Sequence, residues 1–246
     1  MITPDSAGSK GDEALIRGAL SVFNGANITL LTTDRNDLSW KSELLDICNT
    51  FQEEIVEFED ISSAIRGPTN LVIIGADVID GTCGILPSIS RLDAVSKNNE
   101  LGGRTDIFCS FRPDVNLEIA EKIKDVSGYN VYWHLRDVRS LENLSSISVM
   151  NCDYFPDFSY YCKKTETKNT DMIISKLNEN KLAGKMNIGL NLSQHSYESF
   201  YGDDQNHSDE YVNGLITLIN DTVPNAQIIL ITHDIRVWEG KKSDYD

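Results

Sequence analysis

Cations are scarce in this 246-residue chain. Lys and Arg total 22 against 38 Asp and Glu, a formal net charge of −16. A field of that sign repels nucleic acid and anionic membrane surfaces, so neither is expected as a partner. Long apolar runs are missing too: no stretch reaches the roughly 20 residues of a membrane span. The first residues carry no basic segment leading into an apolar one. Neither a transmembrane segment nor a secretory signal is predicted. The five cysteines, Cys48, Cys83, Cys109, Cys152 and Cys162, are odd in number and never spaced as CxxC. That pattern argues against a disulfide framework or zinc site and for reduced, mostly buried thiols in a cytoplasmic protein. A P-loop, a GxGxxG fingerprint, an HExxH pair, a Ser–His–Asp spacing and internal repeats are also absent.

What is present is an alternation of short apolar runs with helical patterns. Strand candidates are Asn27–Thr33, Glu54–Phe58, Leu71–Gly75, Asp106–Cys109, Asn130–Trp133, Ile147–Met150, Asn187–Leu192 and Ala226–Ile231. Helical periodicity marks Asp12–Phe23, Asp114–Val126, Thr170–Leu182 and Ser208–Thr222. Such alternation predicts an α/β chain of doubly wound, Rossmann-like parallel sheets. The polar stretch CKKTETKNT interrupts the pattern, which divides the chain into an N-terminal domain over 1–160 and a partial C-terminal one over 161–246. The segment Met1–Pro4 is too short, and its proline too unfavourable, to be read as a strand. A two-strand second sheet leaves edges open and favours self-association, so a homo-oligomer is an expectation.

In open parallel sheets, ligands sit beyond the carboxyl ends of the strands. The residues at those ends are Ala76, Asp77 and Asp80; Ser110, Phe111 and Arg112; His134, Arg136, Asp137, Arg139 and Ser140; Asp157; and Thr232, His233 and Asp234. The rim therefore carries carboxylates, arginines and a histidine. Each admits a plain reading. Gly11, Asp12 and Glu13 fit a helix start, with carboxylates in the first turn; alternatively, the glycine admits a ligand close to a helix N-terminus. Asp77 fits a cap on the next helix or a partner for backbone N–H groups. Arg136, Asp137 and Ser140 fit a salt bridge with a helix cap, yet a guanidinium at a strand end also forks onto a carboxylate or phosphate. His233 is either a satisfied structural histidine or, beside Asp234, an acid–base group. His195 and His207 fall in a polar stretch and are expected to be solvated.

The order of these elements resembles the polysaccharide pyruvyl transferase family. The resemblance rests on G-D-E-A at Gly11–Ala14, the Gly75-Ala76-Asp77 turn after a buried strand, Ser110-Phe111 after the next, and R-D-x-x-S at Arg136, Asp137 and Ser140. It continues with Pro156-Asp157-Phe158 in place of D-P-A-F, and with Thr232-His233 ending a late strand. It runs from about residue 8 to the end of the sequence given.

The resemblance implies a fold similar to the two-domain GT-B glycosyltransferases. It implies transfer of a pyruvyl group from phosphoenolpyruvate to a free or lipid-linked saccharide, forming a pyruvate ketal in cell-surface or exopolysaccharide biosynthesis. Phosphoenolpyruvate is then the donor substrate; no cofactor and no obligatory metal are expected. Arg136 is the first candidate to grip the donor and Arg112 the second. Gly11, Asp12, Glu13, Asp77, Asp137, Ser140 and Asp157 complete the candidate substrate-binding set, with His233 as the candidate acid. The family also has a later R-x-H element not found in these 246 residues, so a partial family member is expected. Two other functions fit the same rim: a nucleotide-sugar-dependent glycosyltransferase of similar fold, and a non-catalytic saccharide-binding or assembly domain.

Overall fold

A computed structural model describes residues 1–4, 9–32, 51–55, 58–82, 84–128, 130–163, 168–191 and 205–231. The chain forms two compact units. One joins Met1–Ala7 to Gly11–Lys163; the other joins Gly8–Lys10 to Lys164–Asp246.

The first unit is built on parallel strands. Helix α1 (Lys10–Val22) leads to β1 (Ile28–Thr32), which pairs in parallel with β2 (Phe51–Ile55). A 3-10 turn at Phe58–Ala64 precedes β3 (Asn70–Ile74). Helix α2 (Ile85–Glu100), β4 (Arg104–Cys109), α3 (Leu117–Val126), β5 (Val131–Leu135), α4 (Val138–Ser146) and β6 (Cys152–Tyr154) follow. Strands β3, β4, β5 and β6 lie side by side in that order, all parallel.

The segment read as too short for a strand joins the two strand groups. Ile2 makes parallel bridges to both Leu31 and Ile73. Its N–H donates to Val72 O at 2.8 Å, and its carbonyl accepts from Ile74 N at 3.1 Å. On the other side, Leu31 N donates to Met1 O at 2.8 Å and Thr3 N to Leu31 O at 3.2 Å. Pro4, lacking an N–H, follows these bonds rather than interrupting them. The strand order therefore reverses between Ile2 and β3. From Ile2 the chain moves out through β1 to β2, then returns to β3 and moves out the other way. Such a reversal is where open α/β sheets leave a crevice at the strand carboxyl ends.

Both faces of this sheet are buried, and period-2 alternation shows how. Leu71 and Ile73 of β3, Ile107 of β4 and Trp133 of β5 pack with Leu92, Val95, Ile119, Ile123 and Leu144 from α2, α3 and α4. Ile74 packs on the other face with Leu15, Ile16, Ala19 and Leu20 of α1 and with Phe158, joined by Val72, Phe108 and Phe155. Phe158 opens a second 3-10 turn, Phe158–Tyr161, held down by Asp157, whose side chain accepts from Ser159 N at 2.8 Å.

Three sequence expectations need correction. Ile147–Met150 is not a strand: Ile147 caps α4, and Ser148 and Asn151 adopt left-handed φ of 66° and 58°. Its apolar character reflects a turn that buries Val149 against the core, and pairing begins only at Cys152. The strand read at Glu54–Phe58 lies three residues earlier, because Phe58 already belongs to the 3-10 turn. Gly11 sits inside the first turn of α1 rather than ahead of it. Helices α2 and α4 are not among the segments marked by helical periodicity; the sequence points to them only through Asp77 and Asp137 as candidate caps.

The second unit's described residues form α5 (Lys168–Leu182), β7 (Met186–Leu190), α6 (Gln205–Thr222) and β8 (Ala226–Leu230), with β7 and β8 paired in parallel. Asn187 links strand to helix: it accepts from Asn180 Nδ2 at 3.0 Å and donates to Leu177 O at 3.0 Å.

Gly18, in the middle of α1, faces the backbone of the Phe158 turn so closely that a Cβ there would run into the Phe158 carbonyl. In an open helix, Gly→Ala gains up to about 1 kcal/mol. Here the sign reverses. Gly18→Ala is expected to lower stability by about 1–3 kcal/mol, the usual cost of overpacking. Urea unfolding measures it, and an unchanged or raised midpoint would show that α1 does not seat on this turn.

Candidate functional site

The backbone ladder runs past the ends of the strands and fixes the rim. Gly75 N donates to Phe108 O at 3.1 Å, Ser110 N to Ala76 O at 2.9 Å, Arg136 N to Cys109 O at 3.1 Å and Phe155 N to Leu135 O at 3.0 Å. The residues following β3, β4, β5 and β6 thus stand in one row at the carboxyl ends, beside the switch between Ile2 and β3.

Along this row the polar groups form three sets. In the first, Asp77 accepts from Ser110 Oγ and, at 3.1 Å, from an Arg112 Nη. Asp80 turns its carboxylate inward, accepting from Thr82 N at 3.0 Å and Arg112 N at 3.1 Å. Asp77 therefore organises the β4 loop instead of capping the next helix: α2 begins after Gly84 with no side-chain cap.

In the second set, Asp137 caps α4, accepting from Ser140 N at 2.7 Å and Ser140 Oγ at 3.0 Å. Ser140 Oγ accepts from the buried Phe111 N at 3.0 Å, and Asn143 Nδ2 donates to Phe111 O at 2.9 Å. The R-D-x-x-S spacing is thus a rim-locking device: it ties the start of α4 to the loop after β4.

The third set is looser. Arg136 lies 3.5 Å from Asp157 through Nη1 and 3.9 Å from Asp137 through Nε. Both separations exceed hydrogen-bond length. The guanidinium is balanced in charge but not bound by its fork, and its side chain is 38 % exposed. Arg112 is 54 % exposed. Exposed ion pairs of this kind are worth about 0–1 kcal/mol, so either guanidinium is available to a stronger anion. Arg136 and Asp157 line a small cleft together with Gly75, Leu15, His134 and Phe155. Its free volume, about 10 Å³, suits a single water. A larger ligand must displace the Phe155–Asp157 turn or bind at the mouth.

The remaining expected site residues are placed as follows. Gly11, Asp12 and Glu13 lie in the first turn of α1. Glu13 Oε1 accepts from its own helix, from Arg17 Nε at 3.0 Å and an Arg17 Nη at 2.8 Å. That pair is largely buried. His233, with Thr232 and Asp234, lies outside the described residues, as does His195.

One group read as part of the rim lies inside a strand instead. His134 belongs to β5, and its Nδ1 and Nε2 lie 2.6 Å from Asp153 Oδ1 and 2.9 Å from Asp106 Oδ1. Asp153 is its direct cross-strand partner on β6, and Asp106 is the diagonal neighbour on β4. Arg104 bonds both oxygens of Asp106 at 2.8 Å and lies over the Tyr132 ring. The imidazole stacks on Phe108, with ring centroids 4.4 Å apart. Burial alone would lower the His134 pKa, but the two carboxylate hydrogen bonds outweigh it and the net shift is upward. Burial likewise raises the Asp106 pKa, and the bonds from Arg104 and His134 overcome this and bring it to about 2. The signal was the alternation in R-T-D-I-F-C and V-Y-W-H-L, which puts Asp106, Phe108, Tyr132 and His134 on one face.

Comparison with family models, with curated proteins and with solved structures found no match for the chain.

Removing the rim lock is expected to be costly. Ser140→Ala strands the buried Phe111 N–H, a loss of about 1–3 kcal/mol. Asp137→Ala removes the α4 cap, a loss of about 1 kcal/mol, which Asp137→Asn largely restores. Denaturant midpoints that do not move would show that these residues are not structural and return them to the ligand-binding set.

Proposed function

We propose that the protein is a pyruvyl transferase of the polysaccharide-modifying kind, using phosphoenolpyruvate as donor and a saccharide hydroxyl as acceptor. The observation that carries this reading is Arg136: a half-exposed guanidinium at the carboxyl end of a central strand, near two carboxylates but hydrogen-bonded to neither. Phosphoenolpyruvate carries a carboxylate and a phosphate, and each matches the arginine fork better than these loosely placed aspartates do. Arg112, one strand away, is the candidate to share the second anion. The acidic background repels the donor at long range, so binding must come from these local groups.

The chemistry asks little else of the rim. A sugar O–H adds across the enol double bond, with the proton going to the methylene carbon. A second hydroxyl then displaces phosphate and closes the ketal. Donor placement by arginines supplies orientation and charge neutralisation. His233 remains the sequence's candidate for the protonating acid. This reading includes a GT-B-like pairing of the two units and a cytoplasmic setting, where phosphoenolpyruvate and a lipid-linked or free saccharide would meet.

Thermal unfolding with phosphoenolpyruvate tests the donor assignment. At about one hundred times its Kd the ligand contributes about 2.7 kcal/mol, a rise of roughly 5–10 °C for a chain of this size. Arg136→Ala is expected to abolish the rise, and Arg112→Ala to reduce it. Stabilisation by a UDP- or GDP-sugar but not by phosphoenolpyruvate would instead make the protein a glycosyltransferase. Stabilisation by a saccharide alone would make it a binding domain.

A further inference from the structure

The cleft beneath Arg136 is closed by the turn Phe155–Asp157, which leaves directly from β6. That strand is three residues long, lies at the end of the four-stranded sheet and pairs only with β5. The backbone bonds at its ends are few: Trp133 N to Asn151 O at 2.9 Å and Phe155 N to Leu135 O at 3.0 Å. Three residue pairs are little to hold a segment that carries Asp157 against Arg136. Phe155 and Phe158 seat the far end of the segment in the core beneath α1, the cross-strand pair His134–Asp153 adds a polar tie to β5, and the His134–Asp106 contact extends it to β4. Through one imidazole, three strands are fastened on one face.

The geometry points to His134 as a positioning residue whose protonated form clamps β6 to β4 and β5, so that the Phe155–Asp157 turn stays closed over the Arg136 cleft at low pH and loosens as pH rises.

The charged and titratable surroundings of the imidazole agree. Beta-strand β4 presents Asp106, itself held by Arg104. Strand β6 presents Asp153, which is 66 % exposed in its side chain and so is kept in place by the histidine rather than by burial. Strand β5 contributes Tyr132, occupied beneath Arg104, and Arg136, just past its end, looks toward Asp157 and Asp137. The turn brings Asp157 to the same cleft, while α1 brings only Leu15 there. Phe108 stacks beneath the ring and Phe155 meets it edge-on at 6.2 Å. With both ring nitrogens facing carboxylates, two N–H donors satisfy both contacts. A neutral imidazole has one donor and must leave one carboxylate facing a lone pair.

The sign follows from linkage. The histidine pKa is raised by the folded partners, so the clamp is fully present below the ordinary histidine value and is lost as pH rises through the folded-state value. Asp106 stays ionised down to about pH 2 and does not limit the clamp in the neutral range.

The inference stands apart from the donor assignment, and so does its test, which uses no ligand. In the labelled 246-residue chain, the imidazole signals of His134 give its titration. Amide hydrogen exchange at Phe155 and Ser159, corrected for intrinsic base catalysis, gives the protection of the turn. Protection at both amides is expected to fall with the His134 titration, by about tenfold for each pH unit separating the clamped and released pKa values. Asp153→Asn is expected to lower the His134 pKa and shift the fall to lower pH. His134→Gln is expected to leave protection low and flat with pH. Protection that stays level through the wild-type titration, or that falls identically in His134→Gln, overturns the clamp. A failure of phosphoenolpyruvate to bind leaves this result untouched, and a level protection profile leaves the donor assignment untouched.

Discussion

A parallel sheet has to be covered on both faces, and most of the first unit follows from how this one meets that demand. Helices α2, α3 and α4 pack on one face. Among the described residues the other face receives one helix, α1, over its first strands. Beyond α1 the strands β4 to β6 still present side chains that need partners. Two devices fill the gap. Phe108, Phe155, Phe158 and Tyr161 form an aromatic layer with ring centroids 4.6–6.4 Å apart. Beside it runs the chain of Arg104, Asp106, His134 and Asp153, whose polar atoms satisfy one another across three strands. The cleft lies where these devices meet the rim, so cover for the sheet and wall for the cleft are the same residues.

The same demand explains why the turn after β6 is so consequential. Phe155 and Phe158 belong to the core under α1, and the residue between Pro156 and Phe158 is Asp157, the near neighbour of Arg136. Hydrophobic burial therefore carries a carboxylate to a guanidinium. The separation it leaves, 3.5 Å, is too long for a good hydrogen bond and short enough for charge balance. A tighter pair would have made Arg136 a structural residue, as Glu13 makes of Arg17. The contrast between these two arginines, one bonded at 2.8 and 3.0 Å and buried, the other loosely paired and half-exposed, decides which can serve an anion.

Much of this was legible in the sequence. Fully apolar runs such as Leu71–Gly75 announced parallel strands, and the rule for open α/β sheets then put Asp77, Ser110, Arg112, Arg136 and Asp157 on one rim, where the structure has them. What was illegible has physical causes. Met1–Thr3 has too few residues to show a period, yet an existing strand on each side supplies all of its bonds. Ile147–Met150 is apolar because a turn buries Val149, and composition cannot tell that from a strand. Asp137 and Ser140 read equally well as ligand contacts or as a cap, since the same oxygens serve both. Only the Phe111 N–H, donated from a loop 29 residues away, decides for the cap. The candidate Asn130–Trp133 stops two residues short of the end of β5, and that groups His134 with the rim.

That two-residue difference changes the kind of chemistry the histidine can do. On the rim, an imidazole would have a free nitrogen and could exchange protons with a ligand. Within β5 it has a cross-strand neighbour and a diagonal neighbour at fixed spacing, and both are carboxylates. Its proton is then held by the protein on both sides, and what it can transmit is not the proton but the position of β6. Under the proposed transfer, the acid for enol protonation is then a group other than His134. The rim of the first unit thus brings together two exposed guanidinium groups, a capped and bolted loop beside them, and a three-residue strand tied to its neighbours through one imidazole.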